Sequence, residues 1–561
     1  MFRSTFTGLN IANTGISIAQ RQLDVTAHNV SNANVEGYSR QRYINSAFPS
    51  MGWNVQFVSP QRGKEANGVE SLSLDQIRDL FLDRQFRNEQ TKATYWDTRS
   101  NAMYYIEDVF NSIDANSLDG VISSFFGALQ ELSKNSTDEA VRTNVVSQAK
   151  RMVDVIQTYD RQLTALMEQQ NFMLIEKVKN ANLLLTQMAA LNDNIFRFEL
   201  GGSIANDLRD KRALILDELS SLMDISYEYV PFEPPMYNIY GLELSQLKVY
   251  AGSQVGEDFS DHLLVKHYDA FHLVLQELEP GDNEIYDALV NQGGDFDPPY
   301  MNLFLSYNSQ IEPGDTRSPA FIHESNEIKL APYNEDSGDG LLDYHGGLLQ
   351  SYLDVRDGTG IGEERIGIPY FLNELNRMVQ YFVEAFNEIH QTGFPMPCEA
   401  NGFSFMPGID FFNSDGLTAR TIGLSEDILL TPFNIAASSA DVSRDADGHW
   451  QTGNNEIVLS LIMSIKEGII EGLDNSIEGF YKNYLGLVAS EAASANSMKA
   501  SQEILLHGIH TQRTAVSSVS EDEEMTNLIR FQHAYNAASR CITSIDEMLD
   551  RLINATGRVG L

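Results

Sequence analysis

The sequence of 561 residues is poor in cysteine, tryptophan and basic residues. It has two cysteines, Cys398 and Cys541, and 39 Lys+Arg against 78 Asp+Glu, a formal net charge of −39 at pH 7. Two cysteines in such different contexts argue against a structural disulfide, so stability does not depend on oxidation. The shortage of positive charge argues against nucleic acid as a partner, because a phosphate backbone needs a basic face.

Long apolar runs are also missing. No stretch of about 18 apolar residues occurs, so we expect no membrane insertion. Residues 1–6 lack a basic start followed by a continuous apolar segment, which argues against a Sec-type signal peptide. These absences alone predict a cytoplasmic protein, although unusual export routes leave no such mark. A chain of this length is too long for one core, and we expect two to four domains.

Motifs for catalysis and metal binding are absent too. His262 and His267 are five apart, which fits no regular metal-ligand geometry. Asp445, Asp447 and Gly448 begin like a calcium loop, but no glutamate stands at the required distance. No nucleophile elbow, zinc-protease motif or phosphate-binding loop occurs. The sequence therefore predicts no enzyme activity, no cofactor and no metal site.

The last forty residues contain the most regular pattern in the chain. Ser520 and Glu523 have the spacing of a helix capping box. Apolar residues then recur at alternating steps of three and four, which is the seam of a coiled coil that faces one long partner helix. This C-terminal seam consists of Leu528, Phe531, Tyr535, Ala538, Ile542, Ile545, Leu549 and Leu552.

The N-terminal helix repeats the same spacing. Its seam consists of Leu9, Ala12, Ile16, Ala19, Leu23, Thr26 and Val30. The small residues in it would let a bulkier helix approach closely. We therefore predict that the two termini pair and that the rest of the chain is inserted between them. The seams can pair within one monomer alone, or they can also contribute to contacts between copies.

The first half of the chain between these ends is mainly helical in pattern. Extended segments are expected over 43–73. Helices are predicted from Leu74 to Val109, over Ser117–Leu132, and over 55–60 residues ending near Phe198 with a possible break at Gln170. A further helix is predicted over Asn206–Met223.

An acidic segment then interrupts the helical pattern. Residues 226–345 contain 22 Asp+Glu and 4 Lys+Arg, with prolines and short strand-like runs, and we expect a β-rich domain there. Helices resume over 348–356 and 370–390. A second β-rich excursion is expected over 393–450, with short strands around Ile422–Leu430, and helix is predicted from Asn455 to the end.

The predicted fold is thus multidomain α+β. A discontinuous α-helical shaft has paired N- and C-terminal coiled-coil helices and inserted β-rich domains. The predicted divisions are 1–42 with 515–561 (terminal pair), 43–225 with 346–514 (shaft), and 226–345 (acidic outer domain).

Two terminal motifs resemble those of flagellar rod, hook and hook-associated proteins, the flagellar axial family. The first motif covers residues 4–10 and 28–41. Its second part has the sequence His-Asn-Val-Ser-Asn-Ala-Asn-Val-Glu-Gly-Tyr-Ser-Arg-Gln. The motif residues singled out in it are Asn29, Asn32, Gly37 and Tyr38. The other covers 522–537. Residues 206–220, 346–357 and the helix that ends near His390 are similar to the hook-associated protein 1 family. The resemblance does not extend to 226–345.

The resemblance implies a structural role at the junction between hook and filament. It implies export through the flagellar type III channel without a cleaved signal peptide, and an extracellular place in the flagellum. The implied partners are the hook protein, the second junction protein, other copies in a ring, and an export chaperone at the C-terminal helix. Another axial protein, such as a hook or second hook-associated protein, is the alternative within the class.

The acidic insert could instead be an enzymatic or adhesin-like module. If it is only structural, a fragment of residues 226–345 shows no hydrolytic turnover and binds no host surface or glycan. Robust turnover that is lost on replacing a single carboxylate would contradict the structural interpretation.

Overall fold

The computed structural model describes most of the chain. The described residues are 5–47, 68–110, 117–232, 235–239, 242–251, 263–266, 269–270, 273–277, 301–307, 329–330, 346–360, 365–399, 401, 407–414, 416–440 and 453–554. His262, His267 and the segment with Asp445, Asp447 and Gly448 lie outside these ranges. Among the described helices, none is long and apolar enough to cross a bilayer, and no described cluster of His, Cys, Asp and Glu could hold a metal ion.

Helices dominate the described residues. They are α1 (Thr5–Ser31), α2 (Leu80–Phe110), α3 (Leu118–Lys134), α4 (Glu139–Leu200), α5 (Asn206–Leu222), α6 (Gly347–Asp357), α7 (Ile368–Gln391), α8 (Glu426–Leu430), α9 (Glu456–Leu461), α10 (Ile477–Ser517) and α11 (Glu521–Asn554). A π-helical turn, Ile462–Lys466, extends α9.

The strands form three small antiparallel sheets. They are β1 (Gln41–Ala47), β2 (Val69–Gln76), β3 (Ile225–Pro231), β4 (Ser245–Ala251), β5 (Leu263–Lys266), β6 (Asp269–Ala270), β7 (Leu273–Glu277), β8 (Met301–Tyr307) and β9 (Lys329–Leu330). β1 pairs with β2, β3 to β6 form a four-stranded sheet in chain order, and β7 to β9 form a three-stranded sheet. In the first sheet Gln41 lies opposite Gln76, and the register shifts between Ile44 and Asn45.

One large hydrophobic core holds together the end of the shaft that lies away from the terminal helices. It packs the second half of α2, α3, the first half of α4, α7 and the first half of α10. Phe125, Phe386, Phe411 and Phe412 lie at its centre, and their ring centroids are 4.9 to 6.3 Å apart. Such tilted and edge-on ring contacts add to the burial of apolar area.

A second core lies along the remaining half of α4. It packs α5, β3, β4 and α6 against residues from Leu174 to Ala189. The first two strands of the acidic segment therefore bury side chains, among them Tyr227 and Val249, against shaft helices. The domain limits themselves stay a prediction, whereas the predicted class, a helical shaft with inserted β structure, is confirmed.

The predicted break of α4 near Gln170 is wrong, because α4 runs unbroken for 62 residues. At 1.5 Å per residue it is about 93 Å long. The apolar pattern is interrupted near Gln170 because a polar residue is buried within the helix. Asn171 is fully buried where α4 passes from the first core to the second. Its Oδ1 accepts a hydrogen bond of 2.7 Å from Nη1 of Arg356, whose side chain is also fully buried.

Four other sequence-based assignments are corrected. Leu74 lies in strand β2, paired with Tyr43, and the helix begins six residues later. Ile428 and Leu430 lie in α8, not in a strand. The described part of 393–450 contains isolated bridges, such as Phe394 with Ser438, where strands were predicted. The helix predicted from Asn455 onward is interrupted by a turn between the π-helical turn and Ser476.

A buried histidine fixes this irregular segment to α7. The backbone N–H of Ala436 donates to His390 Nε2 over 2.9 Å, and His390 Nδ1 lies 2.7 Å from the carbonyl oxygen of Ile409. Since Nε2 accepts, the proton of the neutral ring is on Nδ1. Burial lowers the pKa of His390 to about 4, although the Ile409 carbonyl and Asp410 act in the opposite direction.

We expect acid to destabilise this region through His390. The unfolded chain takes up a proton at this side chain below about pH 6.5, and the folded chain only below about 4. Between these values the unfolded state binds more protons, so stability is lost as pH falls, by about 3 kcal/mol over the full window. Thermal unfolding of His390→Asn is expected to show a flatter pH dependence than the native chain. The exposed His507→Asn is the control, and an equal flattening in it would contradict the assignment.

Candidate functional site: the terminal helix pair and its joint with the shaft

The two terminal helices pack against each other in antiparallel orientation. A Cβ added at Gly8 would lie 3.3 Å from Ile545 Cδ1, and one at Gly15 would lie 3.7 Å from Ala538 Cβ. Residues later in α1 therefore lie beside residues earlier in α11, as in an antiparallel pair of helices. The absence of a side chain at these two glycines, one heptad apart, lets the helix axes approach closely.

The predicted seam residues lie along this contact with different degrees of burial. On α1, Ala12, Ala19 and Thr26 are buried, and the remaining members are half-buried: Leu9, Ile16, Leu23 and Val30. On α11, six are half-buried: Leu528, Phe531, Ala538, Ile542, Ile545 and Leu549. Tyr535 and Leu552 are exposed. The structure thus brings the two seams together, and their role in contacts between copies stays a prediction.

Strands β1 and β2 pack on α1, whereas in the described part of the chain α11 packs mainly against α1 and its opposite side is left uncovered. Glu524 is the only residue of α11 that is buried. Met525, Ile529, Met548 and Ile553 are exposed apolar residues of the same helix. Two helices bury only narrow stripes of their surfaces, so the pair leaves a large apolar area in water.

The four residues of the N-terminal motif form a turn at the end of α1. Asn29 is buried, and its Oδ1 accepts hydrogen bonds from the Tyr38 hydroxyl (2.8 Å) and the Gln41 N–H (3.0 Å). Asn32 Nδ2 donates 2.9 Å to the carbonyl oxygen of His28 and satisfies the last turn of the helix. Gly37 has φ +76°, a left-handed conformation in which glycine is favoured. The motif therefore fixes the direction in which the chain leaves α1.

Arg40 links this turn to three other chain segments. Its N–H donates 2.9 Å to the carbonyl oxygen of Ser517 at the end of α10, and its carbonyl accepts a bond of 2.8 Å from Ile77 N–H. Its guanidinium donates to Glu524 (2.8 Å) and Glu523 (2.7 Å) at the start of α11. Glu524 also accepts a bond of 3.2 Å from Asn29 Nδ2. The start of α11 is thus held by groups from the N-terminal motif.

The first turn of α5 completes the motif's hydrogen bonds. Asp210 Oδ2 accepts from the Ser39 N–H over 3.0 Å, and Asp207 Oδ1 accepts from Gln41 Nε2 over 2.8 Å. Asn206 Nδ2 donates 3.0 Å to the carbonyl oxygen of Leu74. Residues 206–220 and 28–41, which resemble family motifs separately in the sequence, therefore meet in the fold.

A chain of alternating charges continues from there into the shaft. Arg78 Nε lies 2.5 Å from Asp83, and Asp83 lies 2.7 Å from Arg513 Nε. Arg513 Nη2 lies 2.6 Å from Asp217, which lies 2.7 Å from Arg87 Nε. These side chains are all at most 15% exposed. Breaking a buried ion pair by removing one partner is costly, because the other charge stays in a poorly solvating environment.

Burial and neighbouring charges set the protonation of this region. Burial, with Asp207, Asp210 and Glu524 nearby, raises the pKa of Tyr38, so its hydroxyl stays protonated as a donor. Burial also raises the pKa of Asp210, against the Ser39 and Arg78 donors. Burial alone would lower the pKa of Arg78, but the hydrogen bond and charge of Asp83 raise it overall. We call the set formed by residues 28–41, 76–87, 206–217 and 513–524 the joint.

Sequence reasoning missed most of the joint. Asp207, Asp210 and Asp217 recur at steps of three and seven, which places them on one face of α5, and this spacing was a usable signal. Arg40 with Glu524 and Arg513 with Asp83 are hundreds of positions apart, and nothing local pairs them. Gly8 and Gly15 were detectable as a heptad-spaced pair beside the seam.

Comparison with known proteins places the chain among flagellar proteins. Residues 103–278 match the model of the flagellar hook-associated protein FlgK helical domain. Residues 9–38 match the flagella basal body rod protein model, and residues 511–555 match the C-terminal model of the flagellar basal body rod FlgEFG proteins. Flagellar hook-associated protein 1 of Bacillus subtilis is 31% identical over 99% of both chains.

The chain belongs to the flagellar hook-associated protein 1 family. Flagellar hook-associated protein 1 of Escherichia coli is 25% identical and covers 97% of this chain and 99% of its own. The flagellar hook junction protein FlgK from Burkholderia pseudomallei has a similar fold, with a TM-score of 0.54 at 14% identity, over 78% of this chain and all of its own. The predicted family and the structural role in the flagellum, as a junction protein, are confirmed.

From the geometry of the joint we expect replacement of Glu524 and of Glu523, adjacent glutamates of α11, to affect stability unequally. The side chain of Glu524 is 3% exposed and that of Glu523 is 63% exposed. Glu524→Gln should destabilise the first turns of α11 by about 2 kcal/mol, because it removes charge-assisted hydrogen bonds. Amide exchange there should accelerate roughly 30-fold. Glu523→Gln should change this exchange rate by less than about threefold, since solvent-exposed ion pairs contribute little to stability. Equal effects of the two substitutions would contradict the described geometry.

Proposed function

We propose that the protein acts as the hook–filament junction through its terminal helix pair. In this proposal the pair lines the inner part of the assembled junction, and the faces that α1 and α11 leave exposed contact neighbouring copies in a ring. The hook protein lies below this ring and the second junction protein lies above it. The protein acts outside the cell, after export by the flagellar type III route without a cleaved signal peptide.

The observation that carries the proposal is the one-sided burial of α11. Its seam faces α1, only Glu524 of its residues is buried, and exposed Met525, Ile529 and Ile553 remain on it. This arrangement is a poor stable unit by itself, because no layer in the described part of the chain covers the exposed apolar residues on the outer side of α11. Neighbouring copies would supply that layer.

The other elements of the proposal rest on the family and on sequence. An export chaperone that engages the C-terminal helix would cover the seam from Leu528 to Leu552 before assembly. The predicted division into terminal pair, shaft and outer domain is part of the same proposal, in which the acidic 226–345 segment faces solvent except where β3 and β4 pack on the shaft. We also propose that the protein is not an enzyme, since no catalytic motif occurs in the sequence and its family is structural.

Ile542→Asp tests this proposal. It places a charge in the middle of the half-buried seam against α1, where the charge loses solvation, so we expect the terminal pair to separate. Cells that carry the variant should form hooks without attached filaments and shed filament subunits. Circular dichroism should show that the shaft keeps its fold.

Thr543→Asp is the matched control, because Thr543 is the next residue and is exposed. Amide protection of α1 and α11 should be native in this control and lost in Ile542→Asp. Normal motility in cells that carry Ile542→Asp would overturn the proposal.

A further inference from the structure

The C-terminal half of α10 packs against α2 along one stripe only. Lys499 lies 2.6 Å from Asp97, and Arg513 lies 2.7 Å from Asp83. Ala495 and Ile509 are the only residues buried on α10 beyond Val488. The opposite face of the helix, which we call the outer face of α10, is exposed along its length.

The outer face of α10 is nearly free of charge. From Gly486 to Val516, all of which the structure describes, Glu503 is the only exposed Asp, Glu, Lys or Arg. Of the other 19 exposed residues, ten are Ala, Ser or Gly, five are Asn, His, Thr or Gln, and four are large and apolar. These four are Met498 (38% exposed), Ile504 (74%), Leu505 (52%) and Val516 (40%).

Other long helices of this chain do not share that composition. The exposed residues of α4 include Asp154, Arg161, Glu176 and Lys179, and those of α11 include Arg540. A surface helix of an acidic protein normally carries charge on its solvent side. Charge depletion with exposed apolar residues is instead typical of the centre of a protein–protein interface.

We propose that the outer face of α10 binds a second copy of this chain. The argument for this occupant is electrostatic. Each copy carries a formal net charge of −39, and like charges opposed in an interface are destabilising. Two such chains repel each other least where neither presents charge. The outer face of α10, with Glu503 as its one exposed charged residue, is such a surface and is about 46 Å long at 1.5 Å per residue.

The outer face also continues toward the terminal pair. After a short break at Ser518–Ser520, α11 presents the exposed Met525 and Ile529 in its first turns. The contact would therefore extend the surface that the proposed function assigns to α11. The inference rests on that proposed function and specifies which shaft surface meets the neighbour.

A glycine in the middle of this face supports close approach of the partner. Gly508 is exposed, and no atom lies within 4 Å of a Cβ built on it. Glycine weakens a helix interior relative to alanine, and nothing that the structure describes around Gly508 requires its small size. A helix of a neighbouring copy that crosses at Gly508 would require it.

Photo-crosslinking of the full chain in assembled flagella tests the inference. Leu505 is replaced with a photoreactive benzoylphenylalanine, and purified flagella are irradiated. We expect a product of twice the mass of the chain that contains peptides of this protein only. The matched control carries the same group at Leu183 on α4, which is 55% exposed against 52% for Leu505, and should give no such product.

A pair of charge substitutions provides the second arm. Leu505→Asp should reduce attached filaments at least tenfold, whereas Leu183→Asp should leave their number unchanged, and both chains should fold normally by circular dichroism. Equal effects of the two, or no dimer from position 505, would overturn the inference while the proposed function stands. A crosslink from position 505 to a different protein would also overturn it. Absence of the native chain from purified flagella would overturn the proposed function together with the inference.

Discussion

The buried carboxylate of Glu524 is the contact on which the arrangement of the terminal pair depends. A carboxylate that is removed from water needs several donors, and here Asn29 and Arg40 provide them. The same Arg40 binds the end of α10 and the start of the α2 segment through its backbone. Because these donors come from the opposite end of the chain, α11 has its native position only when residues 28–41 are in place.

The ion pairs of the joint extend this dependence into the shaft. Asp83 and Asp217 each bind Arg513, and α2, α5 and α10 are thereby fixed relative to one another. Buried ion pairs add little net stability compared with apolar packing, but they tolerate few alternative arrangements. The joint therefore specifies an angle between the pair and the shaft more than it contributes to overall stability. Such specificity suits the proposed packing of the protein against neighbouring copies of itself.

Local pattern predicted most of the helices. The seams of α1 and α11, the helix over 206–222 and the long helix ending near Phe198 each follow from apolar spacing and caps. The prediction failed where the conformation of a residue is set by a partner distant in sequence. In the sequence Asn171 interrupts the apolar pattern of α4. In the fold its buried side chain accepts a hydrogen bond from Arg356, so the helix continues. Leu74 continues an apparent helical face, yet its strand pairing with Tyr43 prevails. Partners so far apart in sequence leave no local signal.

The unbroken course of α4 has a mechanical consequence. Its 62 residues pass through both cores, and at the crossing Arg356 holds Asn171 in a fully buried contact. Bending one core against the other would require breaking backbone hydrogen bonds of α4 in a region that water does not reach. The two halves of the shaft therefore respond to torque as one stiff rod. A load applied at the first core is carried along α4 to the second core, beside the joint, with little loss to internal flexing.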